Sequence, residues 1–158
     1  MDDTNINRFL EIIRWAGVAL AIFLAFLLTS DPVQMFNIFA IISVVFIAGC
    51  TALEGLFFSK SASEVSGYGA GGAYQRQSAL HFTAIFLTMI LVALLSYGFL
   101  AYLGIYMVLL IFLTLSALNH LFTGLKEKFV MNTLLRPLLV IFLWVVTLYF
   151  LFPALAVK

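Results

Sequence analysis

Five apolar stretches dominate the chain, at about residues 12–30, 33–58, 79–98, 101–125 and 137–157. Each holds about 20 residues or slightly more, the length an α-helix needs to cross the hydrocarbon core of a bilayer. Polar and turn-forming residues separate most of them: Asp31-Pro32 after the first, a glycine-rich polar stretch over 59–78 after the second, and Lys126, Lys128 and Arg136 before the last. The third and fourth adjoin, because residues 79–125 contain no Asp, Glu, Lys or Arg. One helix of that length would run roughly 70 Å, more than twice the bilayer core, so the chain has to fold back. Gly98 and Gly104 bracket the expected turn, with Tyr97, Tyr102 and Tyr106 placed as interfacial aromatics. The pattern predicts an all-α fold: one domain over residues 1–158, an integral membrane bundle of five transmembrane helices.

Composition sharpens this reading. Apolar residues make up 65% of the chain and charged residues 9%, with a mean hydropathy of +1.17. A soluble domain has about 45–50% and about 25%, so the composition excludes a soluble enzyme, a nucleic-acid module and a disordered tail. A net charge of +1 gives no electrostatic case for a nucleic-acid partner. Cys50, the single cysteine, has no partner for an intrachain disulfide and reads as a small core residue. The start Met1-Asp2-Asp3 is acidic and no small-residue cleavage site precedes Asp31, so the first stretch is expected to stay as an anchor helix.

The placement of charge says more than its total. Five spans put the two termini on opposite sides. Arg8, Arg14, Lys60, Arg76, Lys126, Lys128 and Arg136 then share the N-terminal side, and Lys158 stands alone on the other. The positive-inside rule predicts a cytoplasmic N-terminus and a C-terminus outside, and it fits a bacterial inner membrane or the membrane of an organelle descended from one.

Ionisable and amide side chains gather on that cytoplasmic side. Glu54 lies one turn before the end of the second stretch. Gln75, Arg76 and Gln77 lead into the third, and His81 follows Gln77 by four residues, on the same helical face. Asn119 and His120 end the fourth, and Arg136 precedes Pro137 at the expected first turn of the fifth. Polar groups at membrane depth are costly, which makes each a candidate ligand-binding residue. Glu54, His81 and His120 have the types of a two-histidine, one-carboxylate metal site, and the same cluster beside Tyr74 suits a quinone or lipid head group. The plainer alternative for Glu54 is an ion pair with Arg76, Arg136 or Arg14. No cofactor follows from the residues, and no nucleophile–base motif appears. Small residues repeat every four positions at Gly17, Ala21 and Ala25 and at Ala48 and Ala52, a spacing that lets helices approach closely within a bundle or between subunits.

The run Glu64-Val65-Ser66-Gly67-Tyr68, with Gly72, Ala73-Tyr74-Gln75-Arg76 and the later Asn119-His120, resembles a family of small bacterial multi-helix membrane proteins of unknown function. The family pattern has Trp and Pro where this chain has Tyr68 and Ala73, and Gln-x-Glu where it has Gln75-Arg76-Gln77. The resemblance implies a multi-pass architecture and draws attention to Tyr74, Gln75 and His120, but implies no reaction. Three functions remain open on the residues. One is a non-enzymatic accessory or scaffolding subunit, in a homo-oligomer or with other membrane subunits, docking through a basic cytoplasmic face. A second is a transporter or channel component with a polar gate at the cytoplasmic side. The third is a quinone- or metal-binding redox protein using His81 and His120.

Overall fold

Helix α1 (Asp3–Leu28) and helix α2 (Pro32–Phe57) are joined by three residues, and Asp31 explains how the chain turns so sharply. Its carboxylate accepts from the backbone N–H groups of Val33 and Gln34, both at 3.3 Å, while its own N–H donates to the Thr29 hydroxyl oxygen at 3.1 Å. Pro32 occupies the start of α2, where a missing N–H leaves no bond unmade and the fixed φ suits a helix. The computed structural model describes residues 3–58, 73–126 and 131–157. Three further helices lie among them, α3 (Ala73–Leu94), α4 (Phe99–Lys126) and α5 (Met131–Ala156), with no strand among the described residues.

The turn between α3 and α4 sits at 95–98. It closes as a Schellman motif: the Tyr97 N–H donates to the Val92 carbonyl and the Ser96 N–H to the Ala93 carbonyl, each at 3.2 Å. Ser96 takes the left-handed position at φ 55°, and Gly98 at φ 89° reverses the chain into α4. Gly98 therefore marks the turn as expected, whereas Gly104 lies inside α4 with open space where a Cβ would stand.

Each of the five helices holds a segment long and apolar enough to cross a membrane, ending in turn at Leu28, Phe57, Leu94, Asn119 and Ala156. The helices outrun the apolar stretches at their starts. α1 begins at Asp3 instead of about residue 12, α3 at Ala73 instead of 79, and α5 at Met131 instead of 137. Hydropathy marks what suits lipid, whereas backbone hydrogen bonding carries a helix on into polar sequence. Pro137 thus lies inside α5, not in its first turn, and Pro153 is a second proline within the same helix. Apolar helices tolerate such breaks where neighbouring groups satisfy the freed carbonyl.

Helix α2 is the axis of the bundle and packs against all four others, while α4 also contacts α3 and α5. Glycine sets two of these approaches. A Cβ at Gly17 would collide with the Phe46 ring, so α1 can lie this close to α2 only without one. On the next interface a Cβ at Gly55 would stand 2.6 Å from that of Ala79 on α3. Ala21, Ala25, Ala48 and Ala52 are buried in line with these contacts, so the small-residue stripes serve packing within the chain.

Aromatic rings fill the end of the bundle where α1 passes into α2. Phe36 meets Phe99 and Tyr106 edge-on at 5.3 and 6.0 Å, and Phe39 stacks on Phe150 at 5.0 Å. Tyr106 is 1% exposed, which corrects its reading as an interfacial aromatic; Tyr102 is buried too, and Tyr97 alone of the three is exposed. The difference follows from register: the turn precedes Gly98, which carries Tyr106 two helical turns into α4. Its hydroxyl needs a partner there and lies 2.7 Å from the Thr147 hydroxyl of α5. Thr147 spends its own proton on the Leu143 carbonyl, so Tyr106 is the donor between them.

Candidate functional site

The opposite end of the bundle, where α1 begins, carries the polar groups. Arg14 lies on the fourth turn of α1 and Glu54 one turn before the end of α2, and antiparallel packing of the two helices brings them level. The Arg14 Nη2 donates to Glu54 Oε2 at 2.6 Å, with the two side chains 17% and 20% exposed. Arg14 Nε is fully covered and meets no acceptor among the described residues. The carboxylate thus has one of the three arginines that its position made available. Cys50 stands one turn from Glu54, is buried, and lies within electrostatic reach of both charges.

The remaining candidates take other positions. Arg76 and Gln77 are exposed on the first turn of α3, and Asn119 is exposed near the end of α4. His81 is exposed on α3, with its ring 5.2 Å from that of Phe112 on α4. Among the described residues, no three His, Cys, Asp or Glu side chains come together as a metal site would require. Tyr74 and Gln75 lie in α3, His120 in α4 and Arg136 in α5, with side chains outside the described residues. The glycine-rich stretch 59–72 also lies outside them.

Between α3 and α4 runs a shallow groove of about 210 Å³, lined by His81, Ala84, Ile85 and Thr88 from α3 and by Ile105 and Val108 from α4. Its α3 wall follows the i, i+3, i+4, i+7 spacing of one helical face. The sequence held that spacing, but nothing in it said that α3 and α4 would part there.

Two interior features were not foreseen either. Trp144 of α5 donates from its indole N–H to the Thr114 hydroxyl of α4 at 3.0 Å, and that hydroxyl donates to the Leu110 carbonyl at 2.8 Å. Asn37 and Ser43 are buried on α2 with Oδ1 and Oγ lacking a hydrogen-bond partner among the described residues. Such groups lower stability instead of raising it.

No family model matches the chain, and no curated protein or solved structure matches it either.

Proposed function

We propose that the protein is a five-span integral membrane protein of a bacterial inner membrane, N-terminus cytoplasmic and C-terminus outside, that works as a non-enzymatic accessory or scaffolding subunit. It docks through its basic cytoplasmic face onto other membrane subunits or further copies of itself. The observation that carries this reading is the filled interior around α2. Rings from α2, α4 and α5 occupy the outer half of the bundle. On the cytoplasmic side, Glu54 is engaged by Arg14 and not turned toward a path. A conducting bundle needs ionisable or hydrated groups along its length, and among the described residues the fully buried polar ones are Asn7, Asn37, Ser43 and Thr147, none of them ionisable.

The test is extraction of native membranes in mild detergent, followed by size and mass analysis of what travels with the chain. Co-migration with other polypeptides, or with further copies of the chain, at fixed ratio is the expected result. A chain that runs alone as a monomer contradicts the proposal.

A further inference from the structure

The groove between α3 and α4 combines three observations that point to one class of ligand. Its floor is apolar, and from His81 to Thr88 it spans seven residues, about 10 Å along the helix. Its volume of about 210 Å³ is that of a short stretch of a single hydrocarbon chain. Hydrogen-bonding groups stand at its cytoplasmic end. His81 lines the groove there, Gln77 lies one turn before it on the same face of α3, and Asn119 lies two turns beyond Phe112 on the matching face of α4. All three are exposed, and Arg76 beside Gln77 is exposed as well.

Charge narrows the head group. Neither α3 nor α4 contains an Asp or Glu, so an ammonium or choline group would find no carboxylate on either helix, while a phosphate finds N–H donors and a nearby guanidinium. Basic residues at the cytoplasmic boundary also attract anionic lipids in general.

We propose that this groove binds one anionic glycerophospholipid of the cytoplasmic leaflet, with an acyl chain lying against Ala84, Ile85 and Val108 and the phosphate held by Gln77, His81 and Asn119 in the field of Arg76. The site rests on the membrane-spanning orientation proposed above and is independent of the subunit role. Lipid held there links α3 to α4 where their own side chains leave a gap.

Native mass spectrometry of the full chain tests it, after equilibration with equal amounts of phosphatidylglycerol and phosphatidylethanolamine in mild detergent. The wild type retains one phosphatidylglycerol per chain, about tenfold over phosphatidylethanolamine. Ala84→Trp fills the groove from an exposed position and loses the retained lipid, whereas Leu87→Trp, exposed on another face of α3, keeps it. Arg76→Gln lowers the preference for phosphatidylglycerol at least threefold. Equal retention of the two lipids overturns the proposal, as does retention by Ala84→Trp, or a Thr88→Cys variant that cross-links to a second copy through the groove. Alkaline extraction of the same membranes separates the two failures: a chain released from the pellet refutes the membrane reading, and a chain that stays without lipid refutes only this site.

Discussion

Where α1 passes into α2 through Asp31, the bundle is held by rings: Phe36, Phe39, Phe99, Tyr106 and Phe150 come from three helices and meet within about 6 Å. At the end where α1 begins, the same α2 is tied to α1 by an ion pair, and beyond the His81–Phe112 ring contact α3 and α4 part in a groove that runs toward Thr88. The contrast shows how a chain with 65% apolar residues obtains a specific fold. Leu and Phe lose little by facing acyl chains, so burial alone brings no two helices together. What selects neighbours is shape, in the form of interlocking rings and helices that touch through Gly17 and Gly55, and polar pairing, in the form of Arg14 with Glu54 and Tyr106 with Thr147.

The largest effect should come from the polar end. Glu54→Ala leaves Arg14 mostly buried without its counter-charge and should cost about 3 kcal/mol. A change at an exposed position such as Phe23→Ala should stay within about 0.5 kcal/mol, because Phe23 is exposed. Unfolding in graded detergent compares the two, and equal losses would show that the ion pair contributes nothing. The same variant opens Cys50, which then reacts with maleimide faster than in the wild type.

A middle-sized effect separates shape from polarity. Gly17→Val forces a side chain into the Phe46 ring and should destabilise the bundle by about 1–3 kcal/mol, without altering Cys50 reactivity as Glu54→Ala does. If Gly17→Val is neutral, α1 is not seated on α2 through that glycine. The smallest effect belongs to the ring-filled end. A double-mutant cycle of Tyr106→Phe and Thr147→Val should return a coupling of about 0.6 kcal/mol, the usual size for such bonds inside membrane proteins. A coupling near zero would leave that end held by ring packing alone.

The five elements were legible because an uninterrupted apolar stretch of some 20 residues leaves few alternatives. Their starts were not, since α1, α3 and α5 begin in polar sequence that hydropathy does not count as span. Tyr106 was misplaced for a related reason: a tyrosine near a turn reads as interfacial until the turn itself is located, and the left-handed residue proved to be Ser96, where glycine would be expected. Asp31-Pro32 was legible as a short turn, and the structure adds that the Asp31 carboxylate caps α2. At the candidate site, the level of Glu54 was legible and made Arg14 one of three partners; choosing among them required knowing which helices touch. The partners that Glu54 and His81 take, Arg14 of α1 for the one and the Phe112 ring of α4 for the other, depend on helix rotation around α2. Near-uniform hydrophobicity hides that rotation, because a helix that is apolar on every side does not announce its buried face.

The central claim is that the bundle is closed, with ring packing excluding water from the end where α1 passes into α2. It is tested most directly by cysteine accessibility on α2. In a Cys50→Ala background, Ala40→Cys places a thiol at a wholly buried position level with the aromatic cluster, and Tyr97→Cys provides an exposed control at the turn. The account predicts that a membrane-impermeant maleimide labels the control and leaves the Ala40→Cys variant untouched from either side of sealed vesicles. Labelling of that buried thiol from one side would reveal a water-filled path through the bundle, and would replace the docking subunit with a transporter.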